Sequence, residues 1–142
     1  MTLEEKLKTV IRDVPDFPKP GILFKEISTI MLDAKLSKET LEYLRNLYQD
    51  KPIDAVAGIE SRGFLFGYPL AMELKVPFIL IRKKGKLPYK KISHSYDLEY
   101  GSAVIEMHED AVKEGQNVLI HDDLLATGGS ADAAAELIKK CG

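Results

Sequence analysis

Apolar positions recur along this chain in two periods, and their alternation predicts an α/β protein. Leu3, Leu7, Val10 and Ile11 fall on one helical face, and Thr2 with Glu5 makes a capping-box pattern, so the spacing predicts an opening helix. Pro15, Pro18 and Pro20 forbid a helix between Asp13 and Gly21 and hold the backbone extended. Ile22 to Ile27 follows as a short strand or extended segment. Ser37 is the expected cap of a helix through about Gln49, with Leu41, Leu44, Leu47 and Tyr48 inward, ended by Asp50-Lys51-Pro52. Asp54 to Ile59, apolar from Ala55 onward, reads as a buried strand, central and parallel. A helix from about Phe64 to Leu74 and a strand from Val76 to Ile81 come next. Gly, Pro and charge from about Lys84 to Tyr100 predict a long loop of the kind that forms lids. Ala103 to His108 alternates before a turn at Glu114-Gly115, as an edge strand does. Val118-Leu119-Ile120 reads as a buried strand, and an alanine-rich helical pattern runs from Ala131 to Lys140.

Length and composition narrow the class without naming a chemistry. The 142 residues suit one domain with a real core. A net charge of -2 argues against general affinity for nucleic acid. One cysteine, Cys141, excludes an internal disulfide framework and fits a reducing cytoplasm. No leader and no membrane-length apolar run is read, so neither membrane nor nucleic acid is an expected partner. His94, His108, His121 and Cys141 make no metal-ligand spacing; each histidine reads as structural, and His121 as a variation inside its strand.

Chemistry concentrates where Val118-Leu119-Ile120-His121 runs into Asp122-Asp123-Leu124-Leu125-Ala126-Thr127-Gly128-Gly129-Ser130. A strand, a small-residue loop and a helix start in succession gather unpaired N–H groups and the positive end of a helix dipole, which suits a phosphate. Gly128 and Gly129 let the backbone wrap an anion, and the Thr127 and Ser130 hydroxyls can donate to it. Asp122 and Asp123 would repel that phosphate, so ribose hydroxyls are their natural ligands. The loop lacks the Gly-Lys-Ser/Thr ending of a Walker A motif, and it is not a Gly-x-Gly-x-x-Gly fingerprint.

This run resembles the phosphoribosyl-pyrophosphate (PRPP) signature of type I phosphoribosyltransferases, and its Asp-Asp-Leu-Leu-Ala-Thr-Gly-Gly-Ser form is similar to that of the adenine-specific members. The resemblance implies a central, mostly parallel sheet flanked by helices, with an N-terminal hood (about 13–27), a flexible lid (about 84–100) and the PRPP loop (118–130) in one domain over 1–142. It implies that Ala126, Thr127, Gly128, Gly129 and Ser130 hold the 5′-phosphate and that Asp122 and Asp123 hold the ribose hydroxyls. Phe17 to Lys25 resembles the family's hood, which implies that Phe24 stacks on adenine while the backbone of Leu23 and Lys25 reads its edge and Leu124 packs below. By composition alone, Phe24 reads as core, because buried Phe is common.

Glu60-Ser61-Arg62-Gly63 is a polar loop at the carboxyl end of the predicted central strand, where open α/β sheets bind ligands. In related transferases this loop holds pyrophosphate, which implicates Ser61 and Arg62; the alternative for Arg62 is a surface cation. Glu60-Ser61 could suggest an acid–nucleophile pair, but no histidine is placed nearby in sequence to activate the serine. The basic run Arg82 to Lys91 could be a solvated face, a localisation signal or a nucleic-acid patch. Its place after a sheet strand points to a cationic clamp, and the resemblance assigns Arg82, Lys83 and Lys86 to pyrophosphate, with Arg82 reaching across a homodimer interface. Ser95-Tyr96-Asp97-Leu98-Glu99-Tyr100-Gly101 resembles the adenine-enzyme lid, making Glu99 the proton acceptor and Tyr100 a closing residue; alone, Glu99 reads as solvated surface.

The activity so implied is purine salvage, PRPP and adenine giving AMP and pyrophosphate. Mg²⁺ would be held mainly by the substrate and by no metal site of the protein itself. Two alternatives share the loop: a transferase for another purine base, and a non-catalytic PRPP-binding regulator. The helical pattern ends at Lys140-Cys141-Gly142, where a βαβ chain is expected to return to its sheet, so the chain reads as shortened at its C-terminus.

Overall fold

In the computed structural model, which describes residues 2–16, 20, 23–26, 28–60, 62–98, 101–121, 134–136, 138 and 139, the N-terminal capping box closes in both directions. Glu5 N–H donates to Thr2 Oγ1 and Thr2 N–H donates to Glu5 Oε2, each at 3.2 Å. Helix α1 (Leu3–Val10) follows. The chain divides into two compact units, Met1–Leu47 and Tyr48–Gly142.

In the first unit the proline-rich stretch begins extended, as expected, through Pro15, and turns at Asp16 (φ +57°); Phe17, Pro18, Lys19 and Gly21 lie outside the described residues. Strand β1 (Arg12–Pro15) pairs antiparallel with β2 (Leu23–Glu26), setting Val14 opposite Phe24 and Asp13 opposite Lys25. A single turn of helix, α2 (Ser28–Met31), leads to α3 (Ala34–Tyr48). The expected cap at Ser37 is corrected here. Helix α3 begins at Ala34, where Asp33 Oδ1 accepts the Leu36 N–H at 3.0 Å, and the Ser37 hydroxyl donates to the Ile30 carbonyl at 2.8 Å. An aspartate caps as well as a serine, and only the turn from α2 decides which one stands at the helix start. Leu36 is the buried residue of α3, whereas Leu47, expected inward, is 45 % exposed. Lys6 of α1 and Glu39 of α3 form an ion pair at 3.0 Å.

The second unit is built on a five-stranded sheet. Its elements are β3 (Ala55–Ile59), α4 (Arg62–Leu74), β4 (Phe78–Lys83), β5 (Lys91–Leu98), β6 (Gly101–His108) and β7 (Val118–His121), in the spatial order β5-β6-β4-β3-β7. Strand β3 runs parallel to both β4 and β7, while β6 is antiparallel to β4 and β5. Every residue of β3 is buried, as its unbroken apolar run requires of a parallel strand covered on both faces. Alternate residues divide between those faces. Ala55, Ala57, Ile59, Ile79, Ile81, Ile105 and Met107 form the core together with Val112 and Ala134, with Val118, Ile120 and Ile138 packed against it. Residues 134–136, 138 and 139 are helical. The opposite face receives α4, whose Phe64 and Tyr68 rings pack on Phe78 at 5.8 and 5.6 Å. Glycines permit this approach. A methyl on Gly58 would lie 2.5 Å from the Phe78 ring and 2.7 Å from the Gly63 carbonyl oxygen, and one on Gly63 would lie 2.8 Å from the His121 carbonyl oxygen.

Three expectations change. The segment read as a long loop is β5 over Lys91–Leu98; Ile92 and His94 are half-buried and alternate with exposed Lys91, Ser93 and Ser95, a period-two signal overshadowed by the charges before it. Strand β6 lies inside the sheet, and β5 stands at its edge. Strand β7 is half-buried and pairs, among the described residues, with β3 alone. Alternation reports a polar face but not a strand's rank in its sheet. Among the described residues, no helix is long and apolar enough to cross a membrane.

Candidate active site

Because β3, β4 and β7 are parallel, their carboxyl ends lie on one side of the sheet, where open α/β folds bind ligands. Glu60 follows β3, and Arg62 opens α4. Arg82 and Lys83 end β4, with Lys86 in the turn beyond, and His121 ends β7. Four of the expected pyrophosphate cations, Arg62, Arg82, Lys83 and Lys86, are thus delivered to this side by β3 and β4. Arg62 is half-buried in the first turn of a 13-residue helix, where free N–H groups and the dipole favour an anion. Leu23, Phe24 and Lys25 occupy β2, in the first unit. Ser61, Glu99, Tyr100, Asp122, Asp123, Leu124, Ala126, Thr127, Gly128, Gly129 and Ser130 lie outside the described residues.

Glu60, read above only as half of a dismissed catalytic pair, organises the described part of the site. Its side chain is 8 % exposed. One carboxylate oxygen accepts the Lys83 N–H at 2.6 Å; the other accepts from Arg82 Nη2 at 3.3 Å and lies 3.8 Å from Lys86 Nζ. Burial opposes ionisation of Glu60. The Lys83 N–H, the Arg82 guanidinium and the Lys86 ammonium outweigh that penalty and hold its carboxyl below the usual range. The anion therefore persists at neutral pH as the counter-charge of the cluster. Arg82 keeps its Nε buried without a hydrogen-bond partner among the described residues, a donor that an incoming anionic oxygen can satisfy. No sequence signal marks Glu60, since its partners are 22 to 26 residues away and meet it only through the β3–β4 pairing.

The turn beyond β4 is firmly tied. Glu106 Oε1 accepts the Gly85 N–H at 2.7 Å, His108 Nε2 hydrogen-bonds with the Pro88 carbonyl at 2.8 Å, and Leu87 is buried. Lys91 Nζ donates to the Leu87 carbonyl at 3.1 Å. Among the described residues no three His, Cys, Asp or Glu side chains gather as a metal site.

A parallel sheet that presents cations and a helix N-terminus at its carboxyl end suits a phosphate-bearing substrate, and the comparisons agree. The phosphoribosyl transferase domain family matches residues 25–142. The adenine phosphoribosyltransferase of Pseudoalteromonas atlantica is 54 % identical over 136 residues, 96 % of this chain and 76 % of that protein. The crystal structure of adenine phosphoribosyltransferase from Thermoanaerobacter pseudethanolicus superposes with a TM-score of 0.95 at 50 % identity, covering 99 % of this chain and 81 % of that one. The Saccharomyces cerevisiae enzyme, complexed with an imino-altritol bisphosphate and adenine, gives 0.90 at 40 % identity over 98 % and 81 %. The fold and the site thus define a phosphoribosyltransferase of type I architecture. Within that class, the chain belongs to the adenine phosphoribosyltransferase family.

Proposed function

We propose that this chain transfers the 5-phosphoribosyl group of PRPP to adenine, releasing AMP and pyrophosphate in purine salvage. The observation that carries the reading is the near-complete match to adenine phosphoribosyltransferases, joined to the cationic cluster at the carboxyl ends of β3 and β4. Arg62, Arg82, Lys83 and Lys86, with Ser61, stabilise the charge that develops on the departing pyrophosphate. Asp122 and Asp123 accept from the ribose hydroxyls, and Ala126 to Ser130 hold the 5′-phosphate. Leu23, Phe24, Lys25 and Leu124 bind the base, Glu99 receives its imidazole proton, and Tyr100 closes over the reactants. Orienting the base against C1 supplies most of the rate. Residues 1–142 act as one catalytic domain.

Mg²⁺ fits this site as a substrate-borne ion. The Glu60 carboxylate is already taken up by Lys83, Arg82 and Lys86. Asp122 and Asp123 are the residues that would stand beside it through the ribose. When bound it would neutralise pyrophosphate charge, held mainly by the substrate and by waters. A homodimer in the cytoplasm is the working assembly.

The experiment is AMP formation from adenine and PRPP with Mg²⁺, run beside hypoxanthine, guanine and xanthine, on this chain and on Asp123→Asn. Adenine-only turnover that collapses in the variant is the expected result. Turnover on another base overturns the base assignment, and PRPP binding without turnover favours the regulator.

A further inference from the structure

We infer that Glu106, acting with Glu60, is a positioning residue: two buried carboxylates from different strands clamp the backbone of the turn after β4 and so fix how its lysines are presented. The consequence for catalysis rests on the proposed reading of Lys83 and Lys86 as pyrophosphate contacts.

Four consecutive amides carry the argument. Lys83 N–H donates to Glu60 Oε1 at 2.6 Å, Lys84 N–H to the Val104 carbonyl at 3.0 Å, Gly85 N–H to Glu106 Oε1 at 2.7 Å, and Lys86 N–H to the Lys83 carbonyl at 3.3 Å. None of these four amides is left to water. Gly85 has φ +84°, a left-handed conformation that a side chain resists, and in it the Gly85 amide meets Glu106. Arg82, Lys83, Lys84 and Lys86 crowd four positive charges into five residues, and their mutual repulsion would open an untethered turn.

Glu106 is poorly explained as packing. Its neighbours Ile105 and Met107 face the core, so alternation sends Glu106 to the other face, where it is nonetheless 5 % exposed. Its cross-strand partners are Arg82 on β4 and Ser93 on β5, and Arg82 in turn meets Glu60. Glu106 on β6, Arg82 on β4 and Glu60 just past β3 therefore alternate in charge across this end of the sheet. A buried carboxylate is costly unless charge and hydrogen bonds compensate it. Here the hydrogen bond comes from the Gly85 amide of the turn, and Arg82 stands opposite in register on β4. The lysines are thus presented by a turn tied to β6 on one side and to the end of β3 on the other.

The test is amide hydrogen exchange across residues 83–86 in the substrate-free chain, with steady-state kinetics on PRPP, for wild type, Glu106→Ala and Glu106→Gln. In Glu106→Ala, Gly85 exchange should accelerate about ten- to a hundredfold, the factor carried by a hydrogen bond to a charged acceptor. The Ile105 and Met107 amides should hold, and KM for PRPP should rise about tenfold, well beyond any fall in kcat. Glu106→Gln keeps an acceptor oxygen and should restore most of the Gly85 protection, though not the charge beside Arg82. If the alanine variant does not fold, the glutamine variant decides: a few-fold faster Gly85 exchange with a raised KM supports the clamp. Unchanged Gly85 exchange, or acceleration spread evenly through β4 and β6, overturns it. Exchange is read without substrate, so it tests the clamp even if wild type makes no AMP, and normal AMP formation with a failed exchange result sinks the clamp alone.

Discussion

Gly58→Ala is the most informative single perturbation of the fold beneath the site. The new methyl would sit 2.5 and 2.9 Å from two Phe78 ring atoms and 2.7 Å from the Gly63 carbonyl oxygen. Phe78 cannot swing away freely, because Phe64 and Tyr68 pack on its ring and the Cβ position of Gly67 lies 2.9 Å from it. The Gly63 oxygen is main chain, so relief requires the first turn of α4 to retreat by roughly 0.7 Å, from 2.7 Å to the 3.4 Å of ordinary contact. Overpacking of this kind costs about 1–3 kcal/mol, which at roughly 2–4 °C per kcal/mol lowers the Tm by roughly 2–12 °C. Arg62 shares that turn. Since a misplacement of about 1 Å can cost on the order of a hundredfold in rate, kcat/KM for PRPP should fall on the order of tenfold. Thermal melting and initial rates of AMP formation are the assays. Gly115→Ala is the control: its φ of +83° strains a side chain by about 1 kcal/mol, with nothing within 4 Å of the added methyl, so stability drops while kcat/KM holds. A Gly58→Ala protein melting within about 1 °C of wild type, with kcat/KM within about twofold, would refute the close-approach account.

Three further predictions probe separate levels of the structure. Glu60→Gln should lose a pH-dependent stabilisation: the carboxyl is held below its ordinary 4.5 in the folded state, so its contribution is complete above that value and disappears as pH falls through the lowered one. Urea midpoints should therefore separate wild type from the variant at neutral pH and converge in acid; a constant offset would contradict the assignment. Met107→Ala, at a side chain with no exposure, should cost about 2–5 kcal/mol in equilibrium unfolding. Thr2→Ala removes one half of a capping box on a helix that buries none of its residues, so about 1 kcal/mol should be lost locally. Exchange within α1 should quicken while the global midpoint stays put.

Much of the scaffold was legible because local rules decide it. The Thr2–Glu5 box, the extended backbone up to Pro15 and the doubly buried β3 each follow from a few adjacent residues, and each is present. The helix after Glu60-Ser61-Arg62-Gly63 was also anticipated, though it begins at Arg62 itself. Failures came where neighbours in space outvoted neighbours in sequence. Asp33 displaced Ser37 as the cap of α3, and charges around Lys84–Lys91 concealed the alternation of β5.

The sequence by itself determined which segments are strands or helices in most of the described chain, that β3 is buried on both faces, and that cations cluster after β4. The period of apolar positions and the backbone limits of proline and glycine are local properties that survive without tertiary context. Only the tertiary structure decided that β6 lies inside the sheet, that α4 rests on Gly58 and Gly63, and that Glu60 and Glu106 hold the cationic turn. Those facts depend on strand order and register, which bring residues about twenty positions apart within hydrogen-bonding distance. A carboxylate that reads as solvated surface in one dimension becomes a buried anchor once three strands set it beside an arginine and an amide.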